Sequence, residues 1–235
     1  TSHQVTVWGT EDLTSLDVRS ESITTTLCPK LQELQLQGET LSETTLPCPI
    51  RDVTTLCTMR VWFNTIDPSF RFPTQLTSLT LNMIRDSVAD SLLTPLTRLQ
   101  KLVVTAPKVS DPFDLSGLTT LTAFHSNKLP VTRLPTSLVE CSVALWSDTD
   151  LSLFTNLVSL WGSLESNVKV TFPTGLKWLS IDNGELDNTN ISEVALEKLE
   201  WWGCSLTRDM LEKLPKTLKT IDAKFLPESL GDRLT

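Results

Sequence analysis

The sequence predicts an α/β solenoid of stacked turns, and three observations predict it. The stretch "FPTGLKWLSI" (Phe172 to Ile181) has a near copy, "FPTQLTSLTL" (Phe72 to Leu81), a hundred residues earlier. Related copies open at Leu134 ("LPTSLVECSV") and Leu214 ("LPKTLKTIDA"), and a variant without the proline opens at Leu96, Leu118, Phe154 and Leu196. Together with weaker copies at Leu13, Leu31 and Leu56, the motif LxxLxL recurs with its first apolar residue at 13, 31, 56, 76, 99, 121, 138, 157, 176, 199 and 218. About eleven units of about twenty residues therefore cover nearly the whole chain, the signature of a repeat array.

Each unit has a physical reading. The last two apolar residues of LxxLxL alternate with polar ones, the period of a strand with one buried face. Such a strand has no stability alone, whereas stacked copies bury a continuous apolar column. Pro73, Pro135, Pro173 and Pro215 each lie three residues before the first leucine. That is outside the strand ladder, where a missing N–H costs little. The segments "DSVADSLLTPL" (86–96), with Asp86 as cap, and "SLTRDMLEKLP" (205–215) read as short helices, and "VTAPKVSDPFD" (104–114) as loop. His3 to Gly9 reads as a capping strand, so residues 1–12 are expected to cap a single domain spanning 1–235. Within "FLPESLGDRLT", residues 226–235 read as a degenerate or truncated final repeat.

The recurring "LPTSLxxLxL" resembles the leucine-rich repeat family, and within it the LPxxL type of fungal, amoebal (FNIP-like) and bacterial effector proteins. The resemblance implies a curved solenoid with a parallel β-sheet on its concave face and loops or short helices on its convex face. One departure stands out. Three residues after the last strand leucine the family places a buried Asn or Cys; here Glu39, Ile84, Pro107, Leu129, Trp146, Glu165, Gly184 and Thr207 occupy that place. Irregular turns are expected in consequence, because no Asn ladder satisfies the backbone groups of the bend.

Composition narrows the function. The net charge is −8, shared evenly as −4 over residues 1–117 and −4 over 118–235, which argues against a nucleic-acid backbone or an anionic membrane as partner. No run is long and apolar enough for a membrane span. Five scattered cysteines form no CxxC pair; Cys28 and Cys48 remain a possible local bridge, while Cys141 and Cys204 read as reduced, buried strand residues. This pattern favours a cytoplasmic over a secreted or cell-surface protein, and the lone sequon at Asn190 is too common by chance to change that. Catalytic, cofactor and metal motifs are missing. His125 stands without a nucleophile or orienting carboxylate placed by spacing, and there is no GxGxxG, P-loop or GxSxG.

The sequence thus reads as a non-enzymatic protein–protein interaction module, monomeric alone, without cofactor or metal. The alternatives are a structural or cell-surface repeat segment, or the targeting array of a ligase or effector whose catalytic domain lies elsewhere. Counting from each first leucine i, positions i+2, i+4, i+6 and i+7 face away from the core. This places Trp161 (i+4), Trp178 and Trp201 (both i+2) on three neighbouring strands, with Asp182, Asn183 and Asp222 as a polar rim. Exposed tryptophans in a cluster are enriched at binding hot spots. The amino-terminal half presents Arg60 and Trp62 among Arg19, Lys101 and Lys128, a second and basic candidate surface.

Overall fold

A computed structural model describes residues 4–7, 12–19, 22–25, 29–42, 50–83, 90–105, 113–126, 131–145, 147–165, 167–186, 188–202 and 208–223. The chain divides into two compact units, Thr1–Pro135 and Thr136–Thr235. In the first, six strands lie side by side in chain order: β1 (Ser15–Arg19), β2 (Glu33–Leu41), β3 (Thr58–Ile66), β4 (Ser78–Met83), β5 (Lys101–Thr105) and β6 (Ala123–Ser126). In the second, five follow the same rule: β7 (Glu140–Leu145), β8 (Ser159–Leu164), β9 (Trp178–Ile181), β10 (Lys198–Trp201) and β11 (Thr220–Ala223). Neighbours within each unit are parallel, as a solenoid requires.

The register follows the repeat. Leu79 pairs with Leu102 and Leu81 with Val104, and all four are fully buried, as are Leu179 and Ile181. Each such side chain contributes about 1.5–3 kcal/mol of transfer free energy. The intervening Thr80 and Val103 are half-buried on the opposite, open face.

The entry to each strand is a turn in which the first leucine's N–H bonds the carbonyl three residues back. Leu99 N donates to Leu96 O at 3.0 Å, Leu176 N to Pro173 O at 3.1 Å and Leu218 N to Pro215 O at 3.2 Å. Proline suits the position because only its carbonyl is used. The next two N–H groups share one carbonyl of the preceding turn: Lys177 N and Trp178 N both donate to Val158 O, at 2.8 and 3.0 Å.

This pattern corrects the register of one repeat. Glu197 N and Lys198 N donate to Lys177 O, and Lys219 N and Thr220 N donate to Glu197 O, so the first apolar residue of that unit is Leu196, not Leu199. Leu199 pairs with Leu179 and Trp201 with Ile181. Trp201 is therefore a core residue with 0% exposure, and its expected place on the open face is overturned. "LEKLEWWGC" carries two leucines three apart, and either fits the motif locally. By count, Cys204 now falls three residues after the last strand apolar, the place where the family carries Asn or Cys; it lies outside the described residues, as do Cys28, Cys48 and Asp86.

The turns are ordered by other groups than an Asn ladder. Thr hydroxyls just before the first leucine donate to the carbonyl of the preceding unit's first leucine: Thr55 to Leu31 O (2.7 Å), Thr120 to Leu99 O (2.8 Å) and Thr217 to Leu196 O (2.7 Å). Asp67, Asp114 and Asp150 accept the backbone N–H of Ser69, Ser116 and Ser152, closing Asx turns. Asn64, half-buried three residues after Val61, does occupy the family's Asn position.

Away from the main strands, short parallel ladders pair Phe113–Asp114 with Val131–Arg133 and Thr149–Asp150 with Val170–Thr171, alongside short helices at Asp90–Leu93 and Arg208–Glu212. The strand read near the amino end is present as Gln4–Val7 and pairs with Ser22–Thr25.

Candidate functional site

The open face of the second unit concentrates the aromatic residues. Trp161 on β8 and Trp178 on β9 lie diagonally across adjacent strands, with Trp161 beside Ser180 and Ser159 beside Trp178 in register. Their rings meet edge to face, centroids 4.9 Å apart at 73°, a favoured aromatic geometry. Both indoles are half-buried, while Ser159 and Ser180 beside them are buried to 8% and 7% exposure. The rings thus lie over the serines instead of standing clear of the sheet. Ser180 lies on the open face, as its place at i+4 implies, and the rings cover it there.

The place assigned to Trp201 beside Trp178 belongs to Lys198. Lys198 Nζ sits 4.1 Å from the Trp178 ring centroid and 2.7 Å from Glu200 Oε1. An ammonium is thus held between an indole face and a carboxylate. Burial is the largest single influence on Glu200 and raises its pKa, but hydrogen bonds from Lys198 and Ser180 and the charge of Lys198 together outweigh it, leaving the carboxyl below its ordinary value of 4.5. The Trp178 Nε1–H is shut off from solvent and makes no hydrogen bond of good geometry; its nearness to Glu200 adds a smaller lowering influence.

Folding therefore favours the ionised form of Glu200. Its contribution is complete above the unfolded pKa and is lost as pH falls through the lower, folded one. Acid titration followed by tryptophan fluorescence is expected to show a step below pH 4.5, as Lys198 loses its acceptor beside Trp178. Glu200→Gln should abolish the step; its persistence in that variant would assign the change to another group.

Trp202, one residue past β10, is the indole that the shifted register hid. Its backbone N–H donates to Ile181 O at 3.0 Å, the residue is 43% exposed, and it follows Trp201 as Asp182 follows Ile181 on the neighbouring strand. Asp182, Asn183 and Asp222 are all exposed, with Asp222 beside Glu200 in register. An open hollow of about 500 Å³, lined by Ser163, Leu164, Glu165 and Asn183, continues from Trp161 along the same strand. Lys198, Glu200 and Trp202 went unread because all three depend on the register of one repeat. The spacing held the missing signal: starting at Leu196 makes the flanking intervals 20 and 22, against 23 and 19 from Leu199.

In the first unit, Arg60 is exposed and shares a small hollow of about 60 Å³ with Asp17 and Glu33, among other residues, while Trp62 is half-buried two residues further on. Arg19 pairs with Asp17 at 3.4 Å, an exposed contact worth little. These basic groups are interleaved with acids and separated from the tryptophan pair in sequence and unit. Lys128 lies outside the described residues.

Two chemical possibilities can be placed. Burial pushes the Cys141 thiol up to about 12, so it is neutral at physiological pH and behaves as a small core hydrophobe. Asn190, the sequon residue, accepts from Phe172 N at 2.7 Å and donates to Phe172 O at 3.0 Å, so its amide is committed to the backbone of the preceding turn. Among the described residues no cluster of three or more His, Cys, Asp or Glu is arranged to hold a metal.

Parallel strands in the LxxLxL register make a leucine-rich repeat fold, and solved structures of that kind resemble it. An internalin (InlF) from Listeria monocytogenes is 18% identical with a TM-score of 0.55, over 93% of this chain and 83% of that one. A chain from the octameric complex of Latrophilin 3 (Lec, Olf), Unc5D (Ig, Ig2, TSP1) and FLRT2 (LRR) is also 18% identical, with a TM-score of 0.51, over 88% of this chain and 79% of that one. No protein-family profile and no curated protein matches the sequence.

Proposed function

We propose that this chain is a protein-recognition module whose contact surface is the open sheet face of its second unit. The observation that carries the reading is the edge-to-face pair of Trp161 and Trp178, half-exposed on that face and set over buried serines. Indole surface left open on a sheet adds little to folding, whereas a partner that covers it gains from a few such anchors. Asp182, Asn183 and Asp222 form the polar rim, with Trp202 taking the role first assigned to Trp201. The solved neighbours support a binding module in general, one of them coming from a complex of three different proteins. The role is binding without catalysis, and neither cofactor nor metal enters it.

The test uses the double variant Trp161→Ala with Trp178→Ala, checked by urea denaturation for an intact fold, in a capture experiment from a native extract read by mass spectrometry. Proteins held by the parent chain are expected to be lost from this variant and kept by Arg60→Ala with Trp62→Ala. The reverse result would move the site to the first unit.

A further inference from the structure

The open face of the second unit holds one completed cation site and the parts of another. In the first, Lys198 lies between the Trp178 ring and the Glu200 carboxylate. In the second, the exposed Trp202 and the exposed Asp182 each follow the last paired residues of adjacent strands, Trp201 and Ile181. Among the described residues no lysine or arginine is placed over Trp202. Among the described residues the charges on this face are Glu140, Asp182, Glu200 and Asp222 against Lys198; Lys224, which follows Ala223 in the sequence, lies outside the described residues. The hollow beyond Trp161 adds a further exposed carboxylate, Glu165, beside the Asn183 amide.

From this geometry we infer that the partner presents a basic segment. One of its arginine or lysine side chains stacks on Trp202 and pairs with Asp182, repeating what Lys198 does with Trp178 and Glu200. Further cations of the same segment face Asp222 and the hollow at Glu165. Arginine suits the Trp202 position best, because its planar guanidinium stacks on an indole and still donates to a carboxylate in the same plane. An acidic segment meets like charge at four carboxylates. A purely apolar one strips them of water without giving them partners. The inference rests on the open face of the second unit being the contact surface, and it adds the chemistry of what binds there.

The experiment pans a random displayed library of peptides about twelve residues long against the whole chain, at low salt and at about 0.5 M salt, where surface charges are screened. The low-salt pool is expected to be enriched at least about twofold in arginine and lysine and depleted in aspartate and glutamate, with the enrichment fading at high salt. A synthetic peptide from that pool should quench tryptophan fluorescence. Its affinity should fall about tenfold for Asp182→Asn with Asp222→Asn, and at least as far for Trp202→Ala, with urea midpoints unchanged. An acidic or apolar pool that still depends on Trp161 and Trp178 overturns the basic partner and leaves the contact surface standing. Peptides indifferent to Trp161→Ala with Trp178→Ala overturn both, and a pool no different from the starting library overturns the basic partner.

Discussion

Replacing Trp201 with Ala is expected to lower stability by about 3–5 kcal/mol, while the same change at Trp202, its neighbour in sequence, costs under about 1 kcal/mol. Trp201 is among the largest fully buried side chains and sits level with Ile181 in the apolar column, where emptying it leaves a cavity its neighbours only partly close. Trp202 is 43% exposed and loses little by truncation. Among the described residues the buried Trp201 Nε1–H has no hydrogen-bond partner, a penalty that folding carries. Trp201→Phe removes that orphan donor along with some packing, so it should cost far less than Trp201→Ala. Urea denaturation followed by circular dichroism measures all three. A larger loss at Trp202 than at Trp201 would restore the register that begins at Leu199.

That single repeat marks the limit of what was legible. Ten of the eleven starting positions were readable, because apolar residues at i, i+3 and i+5 belong to one strand and its entry turn, a local pattern. The pairing of Trp161 with Trp178 followed directly, since both registers were right. In "LEKLEWWGC" the local pattern is satisfied twice, and tryptophan at both 201 and 202 removes the contrast between an apolar inward and a polar outward residue. The hydrogen bonds from Glu197 and Lys198 to Lys177 O choose between the two, and these are long-range; in the sequence itself only the more even spacing from Leu196 carries the choice. The cation site was invisible for the same reason, because Lys198 reaches Trp178 only after the choice is made.

The turns failed differently. With the family's Asn missing from eight of them the turns read as irregular, yet at other places in the repeat Thr120 and Thr217 hydroxyls and the short Asp114-Leu115-Ser116 and Asp150-Leu151-Ser152 turns bond the backbone. These are local signals, legible once a side-chain oxygen other than an amide is allowed to do the capping.

Gly162 gives the other large effect. It occupies the last position of the LxxLxL motif on β8, level with Val143 and Ile181, so the column invites a valine there. The backbone forbids it: a Cβ at position 162 would lie 2.0 Å from the Val143 carbonyl oxygen and 3.1 Å from its carbon. These are backbone atoms of the neighbouring strand and cannot swing aside, so relief requires the two strands to part where Trp161 is set. Gly162→Val is expected to cost about 3 kcal/mol or more, at the upper end of overpacking penalties. Because β8 also carries Trp161, the strand shift should loosen the 4.9 Å contact with Trp178 and alter tryptophan emission before global unfolding. Gly117→Val is the control, since nothing lies within 4 Å of a Cβ built there. Equal urea midpoints for the two variants would show that β7 and β8 are not in close approach at Gly162, and the packing assigned to this strand would have to be withdrawn.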